Sequence, residues 1–393
     1  MDGDPMNESF LRIDDAPSIA LVSTFPPTPC GLATFSSALA TGLRQIGVRD
    51  IGVVRTSDDD TVSEDPRVVA ELKPNDWMSI DSSVHALNSF DCIVLQHEYG
   101  IFGGHYGDDV LRILSQVKVP VITTLHTVPV APNGHQKRVL EDVVSLSDYS
   151  ITMTMASRER LIAGYDVRPA DIVTIPHGAT LPPPVASRPA SSPTVLTWGL
   201  LGPGKGIEWV IDALAEVSDV VPPITYVVAG ATHPKVLARE GERYRESLMR
   251  RAHDRGVGDR VTFDQQYRTL PQLLDMVSRA TAVVLPYDSE DQITSGVLVD
   301  AVAAGVPVVA TSFPHAIELL SSGAGMIVPH RTPSAIADAL RTIVTRPNVA
   351  QAMRSEATRL AAEHSWPCVA SKYLELAERV VSKHAPSSRA VSA

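Results

Sequence analysis

The stretch Asp288–Val309, DSEDQITSGVLVDAVAAGVPVV, contains the unit whose repetition predicts the fold. A polar loop leads into a short apolar helix from about Gly296 to Ala304, and a buried strand follows. Thr294 or Ser295 can cap the start of this helix, and Gly305 suits the position just after its end. A loop, a helix and a β-branched strand in this order are typical of a parallel sheet covered by helices.

The same alternation runs along nearly all of the 393 residues. Strands are predicted in SIALVST, IGVVRT, DCIVLQHE, PVITTLH, YSITMTM and DIVTIPHG, and then in TVLTWGLL, ITYVVAG, RVTFDQ, TAVVLPY and PVVATS. The Pro/Ser-rich segment between the two groups predicts two doubly wound α/β domains joined by a linker. The expected parts are a flexible tail over 1–17, a first domain over 18–184, the linker over 185–193, a second domain over 194–365, a helix over 366–385 that Pro367 breaks near its start, and a tail over 386–393.

Composition excludes several classes of function. A net charge of −11 argues against general nucleic-acid binding, which needs basic patches. The three cysteines form no CxxC pair, so buried free thiols in a reducing cytoplasm are expected. The acidic start lacks the order of a signal peptide, and no apolar run reaches the roughly 18 residues that span a bilayer.

Polar residues cluster where two predicted strands end. Gln96, His97, Glu98 and Tyr99 lead into the glycine-rich LQHEYGIFGG, which indicates a binding loop more than a plain turn. His126 ends the strand of TLHT, where a polar cap and a functional role are equally compatible with its position. A zinc site is disfavoured because no third ligand stands at a usual spacing.

Two glycine-rich turns join a strand to a helix. Gly31 in TPCGLATF lets the backbone approach a ligand and exposes helix N–H groups. Lys205 in GLLGPGKG is boxed by glycines, a setting more typical of an anion binder than of a solvated surface charge. The turn is not a P-loop, because Ile207 stands where a hydroxyl would be needed for Mg²⁺. No G-x-G-x-x-G fingerprint occurs, which disfavours a nicotinamide or flavin cofactor.

The opening stretch itself predicts a phosphate site. The backbone N–H groups of Ser295, Gly296 and Val297 begin a helix whose dipole favours an anion. Asp300 is an isolated acid in an apolar helix and needs partners, for which sugar hydroxyls are suitable. The alternative is a well-capped helix with no ligand.

These motifs together resemble the family 4 glycosyltransferases, which have the GT-B fold. The markers are FPPTPCGLATF, TLHT, GLLGPGKG, SGVLVDAVAAGVPVV and HSWPCVASKYLELAERV, so the resemblance covers almost the whole chain. CGLATF and QHEYGIFGG look like one bacterial subgroup of that family. The resemblance implies two Rossmann-like domains facing a central cleft and a C-terminal helix that crosses back to the first domain.

The resemblance also implies an activity. The chain would be a retaining hexosyltransferase that needs no metal or other cofactor and moves a hexose from a nucleotide-diphosphate sugar to a hydroxyl acceptor. The donor would be of the GDP-mannose or UDP-glucose type, and the acceptor a sugar, a glycoside or a lipid-linked molecule. The expected location is the cytoplasm, with peripheral contact at the inner face of the membrane and the oligomeric state left open.

Each candidate residue receives a role from the resemblance. His126 and Lys205 would be catalytic, His126 at the donor sugar and Lys205 at the leaving diphosphate. The other implied contacts are Gly31, Gln292, Thr294, Ser295, Gly296 and Val297 for the diphosphate and sugar, Asp300, Tyr267 and Arg268 for the ribose and base, and His97, Glu98 and Tyr99 for the acceptor.

The sequence departs from the family pattern at three places. Gln292 and Asp300 replace two glutamates, Leu200 replaces an arginine, and Cys30 replaces a glycine. Glutamine cannot act as a charged stabiliser, and Arg268 is a candidate to replace the missing arginine. These changes leave open a catalytically weak or regulatory nucleotide-sugar-binding protein. An epimerase or a phosphorylase of the same architecture is a third alternative.

Overall fold

The structure is a computed structural model that describes residues 16–58, 61–183, 192–266 and 268–384. Residues 1–15 of the predicted N-terminal tail, the predicted C-terminal tail, most of the predicted linker and Tyr267 therefore lie outside the described residues. The chain forms two compact units. The first comprises the described residues up to Met153, Arg160–Ile175 and the residues from Trp366 onward, and the second comprises Thr154–Glu159 and Pro176–Ser365.

Strands and helices alternate along both units, as the sequence predicts. The strands are β1 (Ile19–Ser23), β2 (Ile51–Thr56), β3 (Val68–Leu72), β4 (Cys92–His97), β5 (Val121–Leu125), β6 (Tyr149–Thr152), β7 (Ile172–Thr174), β8 (Thr194–Trp198), β9 (Thr225–Ala229), β10 (Val261–Asp264), β11 (Ala282–Leu285), β12 (Val308–Thr311) and β13 (Gly325–Val328). The helices are α1 (Gly31–Gln45), α2 (Trp77–Leu87), α3 (Val110–Leu114), α4 (Gly134–Ser145), α5 (Met155–Gly164), α6 (Ile207–Glu216), α7 (Pro234–Glu240), α8 (Arg243–Asp254), α9 (Leu270–Ser278), α10 (Gly296–Ala303), α11 (Pro314–Leu320), α12 (Pro333–Thr345), α13 (Pro347–His364) and α14 (Trp366–His384).

Both sheets are parallel and doubly wound. Within the described residues, the first unit contains a seven-stranded sheet in the order β3-β2-β1-β4-β5-β6-β7. The second contains a six-stranded sheet in the order β10-β9-β8-β11-β12-β13. The order reverses between β1 and β4 and between β8 and β11, and ligands of such sheets bind outside the carboxyl ends of the strands at this switch point. The two loops that follow β8 and β11 are therefore the first place to look for a site.

Two edge strands escape sequence prediction. β3 lies at one edge of the first sheet and β13 at one edge of the second. Both contain exposed or half-exposed side chains along their length. The apolar run that marks a strand buried on both faces is therefore interrupted in each of them.

The C-terminal helix belongs to the first unit, which confirms the predicted return of the chain. The ring of Trp366 meets that of Phe35 edge-to-face, with 5.0 Å between centroids. The hydroxyl of Tyr373 is 3.0 Å from that of Thr124. The expected break at Pro367 is wrong, because α14 is continuous from Trp366. Proline is tolerated in the first helical turn, where its missing N–H has no intrahelical acceptor to serve.

The boundary between the units differs from the predicted one. Pro176–Pro183 group with the second unit, although the sequence places the first domain's end at 184. Ala179 forms a parallel bridge with Ser365, and its N–H donates to the carbonyl of His364 at 2.7 Å. This pairing between segments far apart in the sequence joins residue 179 to the second unit.

The described cysteines are free, but only Cys92 is fully buried. Cys30 and Cys368 are half-buried, which corrects the expectation of three buried thiols. The Sγ of Cys30 accepts the N–H of Ala33 at 3.4 Å and so caps α1. No described helix has the length and apolar character that crossing a membrane requires.

The contact between α1 and α14 provides a stability prediction. A Cβ added to Gly42 in α1 would lie 2.9 Å from the carbonyl oxygen of Trp366. Gly42→Ala should therefore lower Tm by about 3–6 °C, since 1 kcal/mol shifts Tm by roughly 2–4 °C in a domain of this size. Gly164→Ala, also helical but with nothing within 4 Å of the added Cβ, is the matched control. Equal thermal shifts for both variants, measured by circular dichroism, would contradict this packing.

Candidate functional site

The loop after β8 needs glycine for its path. Gly206 starts α6 with a φ of 68°, and a Cβ there would lie 1.8 Å from the carbonyl oxygen of Pro286. Gly204 has a φ of 87° and its carbonyl accepts the N–H of Asp288 at 2.9 Å. The loop after β8 thereby lies directly against the chain that follows β11. Any side chain at Gly206 would force these two backbones apart.

Lys205 extends from this loop as an uncompensated cation. Its Nζ lies 4.6 Å from the ring centroid of the buried Tyr287. No carboxylate among the described residues pairs with it. Burial lowers the pKa of the Lys205 ammonium below its usual value. A half-buried cation without a partner is unfavourable until an anion joins it, so Lys205 has the character of an anion-binding group.

The start of α10 offers two backbone donors rather than three. Ser295 is the N-cap, and its side chain accepts the N–H of Leu298 at 3.3 Å, as one of the two predicted caps. The N–H of Ser295 donates to Nδ1 of His315 at 2.8 Å, so the prediction that it faces a phosphate is wrong. The N–H groups of Gly296 and Val297 have no acceptor in the part of the chain that the structure describes. These two remain suited to an anion at the helix N-terminus.

The residues that precede this helix are closely packed. The Nε2 of Gln292 donates to the carbonyl of Thr294 at 3.1 Å. The hydroxyl of Thr294 is buried without a hydrogen-bond partner in the described ranges. A Cβ on Gly296 would lie 3.0 Å from Nε2 of His177, so this position admits little beyond glycine. The turn therefore has a defined shape, and the Thr294 hydroxyl is a polar group in it that a ligand could satisfy.

Asp300 lies one turn into α10 and is half-buried. Its carboxylate has no hydrogen bond or ion pair with any described residue. Burial raises the pKa of Asp300 to about 7. A carboxylate in this state gains from any ligand that donates hydrogen bonds to it.

Arg268 does not act as a free replacement for the missing arginine. Its guanidinium is paired with Asp264 at the end of β10, and Asp264 also accepts the N–H of Gln266 at 3.0 Å. The backbone N–H of Gln266 and the neighbouring Arg268 hold the pKa of Asp264 below its usual value. The pair lines a surface pocket with residues 262–266. Leu200 is 40% exposed.

In the first unit, His126 is held by a neighbour that the sequence did not assign to it. Its Nε2 is 2.8 Å from the side-chain amide of the buried Gln96, which fixes the orientation of the imidazole. The ring of Phe35 meets the imidazole edge-to-face at 4.9 Å. Gly31 is exposed, and nothing lies within 4 Å of a Cβ added there.

The three residues predicted for the acceptor side differ in accessibility. His97 is fully buried, which lowers its pKa to about 4, so it does not reach a solvent-borne acceptor and that assignment is corrected. Glu98 accepts from the hydroxyl of Thr127 and from the N–H of Tyr99. The hydroxyl of Tyr99 donates to the carbonyl of Gln136 at 3.2 Å. Glu98 and Tyr99 stay half-buried and accessible.

Comparison with known proteins gives a family signal in the second unit. Residues 192–346 match the family model described as Glycosyl transferases group 1. A D-inositol 3-phosphate glycosyltransferase from Kineococcus radiotolerans is 26% identical over 411 residues, which cover 90% of this chain and 92% of that protein. Another from Rhodococcus opacus is 27% identical over 285 residues, covering 65% and 61% of the two chains.

Solved structures share the fold at low sequence identity. HepE of Anabaena in complex with UDP is similar with a TM-score of 0.73 at 17% identity, over 92% of this chain and all (100%) of that chain. Sucrose-phosphate synthase from Thermosynechococcus elongatus is similar with a TM-score of 0.74 at 19% identity, over 93% of this chain and 100% of that chain. These likenesses show the fold, and the predicted GT-B class of two Rossmann-like α/β domains is confirmed.

The unpaired carboxylate of Asp300 predicts a pH-dependent stability. Its pKa is about 7 in the folded chain, against 3.8 for an unperturbed Asp, so the folded state binds the proton more tightly. The stability that Asp300 contributes is complete below about pH 4 and is lost as the pH rises through 7. Asp300→Asn should therefore raise Tm by about 3–6 °C at pH 8 and leave it nearly unchanged near pH 4. A shift of Tm that is the same at both pH values would refute the assignment.

Proposed function

We propose that this chain is a glycosyltransferase that moves a hexose from a nucleotide-diphosphate sugar to a hydroxyl acceptor. The observation that carries the proposal lies in one unit: a cation, two helix N–H groups and a carboxylate that have no hydrogen-bond or ion-pair partner among the described residues. Lys205 follows β8, while Gly296, Val297 and Asp300 follow β11, and these strands flank the switch point of the second sheet. All of them lie inside the segment that matches the glycosyltransferase family model.

The donor's parts correspond to the three unpaired groups. In the proposal, Lys205 and the N–H groups of Gly296 and Val297 bind the diphosphate. Its negative charge complements the lysine cation and the positive end of the helix dipole. Asp300 accepts hydrogen bonds from the ribose hydroxyls. The hydroxyl of Thr294 is available to the phosphate or the sugar, and the pocket beside Arg268 is available to the base.

The proposed reaction is a transfer with retention, and the donor diphosphate leaves as the acceptor oxygen attacks from the same face. The anomeric carbon loses its bond to the phosphate oxygen and gains one to the acceptor. The departing phosphate oxygen takes the acceptor's proton. Lys205 and the start of α10 stabilise the negative charge that develops on the diphosphate. This scheme depends on positioning rather than on a dedicated base, and the proposal includes no metal.

Donor and acceptor can be ordered for testing. UDP-glucose comes first among donors, because HepE has been solved with UDP and with UDP-glucose, and GDP-mannose comes second. An inositol phosphate is the first acceptor to test, since the relatives are named for transfer to D-inositol 3-phosphate. A thermal-shift screen with these nucleotides and sugars tests the proposal directly, because a ligand that binds only the native state raises Tm.

A second candidate is a nucleotide-sugar-binding protein with little turnover. It is favoured by Leu200, which stands where the family pattern has an arginine, and by the neutral side chain at Gln292. Calorimetry with UDP and GDP, combined with an assay of donor hydrolysis and transfer, separates the two. Tight binding without turnover on any acceptor supports the binding protein.

Lys205→Ala tests the role assigned to the lysine. Its loss removes one strong electrostatic contact to the leaving diphosphate, so kcat/KM should fall at least about 100-fold. Lys235→Ala, which changes an exposed lysine in the same unit, is the control and should retain activity. Steady-state transfer kinetics provide the measurement, and near wild-type turnover by Lys205→Ala would exclude the assignment.

His126→Ala tests the role assigned to the first unit. We expect kcat to fall at least 10-fold, on the order of one lost hydrogen bond to a reacting sugar, while the Kd for the nucleotide stays within about 3-fold. His85→Ala alters an exposed histidine on α2 and serves as the control. A parallel loss of nucleotide affinity and turnover would contradict a role at the sugar.

A further inference from the structure

The turn Gln292–Ser295 is held by hydrogen bonds at each of its residues. The backbone N–H of His315 donates to the carbonyl of Gln292 at 3.4 Å, and the ring Nδ1 of His315 accepts the N–H of Ser295 at 2.8 Å. Between them, the carbonyl of Ile293 accepts from the hydroxyl of Thr154 at 3.0 Å. One residue, His315, thus holds both ends of the turn.

The imidazole of His315 must be neutral to hold Ser295. A backbone N–H can only donate, so Nδ1 is the acceptor and the ring proton lies on Nε2. His315 is only 3% exposed. Burial, followed by the nearby His177 and His364, lowers its pKa to about 3. The ring therefore stays neutral across the physiological range, and the hydrogen bond to Ser295 is not lost by protonation.

Gln292 completes the turn with a group that a glutamate lacks. Its Nε2 donates to the carbonyl of Thr294 at 3.1 Å, and this contact requires an N–H because a carbonyl oxygen can only accept. A carboxylate in the same place would direct a negative oxygen at the carbonyl oxygen. The side-chain amide of Gln292 therefore suits the carbonyl of Thr294, and a glutamate at this position would not.

We propose that Gln292 and His315 are positioning residues that form a neutral clamp on this turn and aim the N–H groups of Gly296 and Val297 at the donor diphosphate. This inference rests on the proposed function, which supplies the diphosphate. The clamp adds no charge to the site, where Lys205 and the helix N-terminus supply positive potential. Replacing Gln292 by the glutamate of the family pattern should harm the enzyme rather than restore it.

Four variants test the clamp through donor kinetics with UDP-glucose or GDP-mannose, whichever the wild type accepts. Gln292→Glu and His315→Leu should each raise the donor KM at least 10-fold. His315→Asn should stay within about 3-fold of wild type, because its Oδ1 can accept where Nδ1 does. His364→Leu is the matched control, since His364 belongs to the same buried cluster and its Nδ1 bonds the carbonyl of His177. It should lower Tm while leaving the donor KM within about 2-fold.

The outcomes separate the clamp from the proposed function. An active wild type whose Gln292→Glu variant equals or exceeds it in kcat/KM overturns the clamp and leaves the glycosyltransferase standing. A donor KM that rises equally in His315→Leu, His315→Asn and His364→Leu also overturns it, because the effect then follows stability. A wild type that neither binds nor turns over any nucleotide-sugar refutes the proposed function and the clamp's role with it.

A measurement without ligand tests the hydrogen bond itself. In protein with ¹⁵N-labelled histidine, the His315 ring, assigned by its loss in His315→Asn, should show a proton on Nε2 and none on Nδ1 between pH 5 and 8. A proton on Nδ1 in this range would show that the ring does not accept from Ser295, and would overturn the clamp whatever the activity.

Discussion

Every strand of both sheets runs parallel to its neighbours, and this constraint determines where chemistry can occur. A parallel connection must cross a face of the sheet and return, so all carboxyl ends lie along one edge. The strand order reverses between β8 and β11, and such a reversal is where ligands of doubly wound sheets bind. Lys205 comes from the loop after β8, and the turn before α10 comes from the loop after β11. Residues far apart in the sequence thereby come from two loops that touch each other.

The loops after β8 and β11 touch each other, and this contact fixes the position of Lys205 at the edge of the sheet. The hydrogen bond between Asp288 and Gly204 and the absence of a side chain at Gly206 let the backbones touch. The side chain of Lys205 then lies over Tyr287 instead of extending into solvent. The native state holds Lys205 and Asp300 without described partners, which is unfavourable in the empty protein. A ligand that pairs with both groups would remove this unfavourable free energy, which would then contribute to its binding.

Sequence reasoning reached the local features of the site because they depend on neighbouring residues. The helix at Gly296, its cap at Ser295 and the glycine loop around Lys205 follow from spacing and backbone propensity. It failed where a distant residue intervenes. His315, 20 positions away, accepts a hydrogen bond from the N–H of Ser295, and Asp264 forms an ion pair with Arg268. The burial of His97 depends on the packing of the whole sheet. One amino-acid sequence, considered by itself, carries no signal for such long-range pairs.

The return of α14 to the first unit has a consequence for how the chain matures during synthesis. Trp366, Tyr373 and the other buried side chains of α14 complete a core whose remaining members are encoded before residue 180. The second unit's strands and helices all lie between residues 154 and 365, so it is complete when the ribosome has passed that point. The unit made first must therefore wait, with an apolar face of α1 uncovered, until the last helix emerges. In this chain the order of translation and the order of completion are opposite.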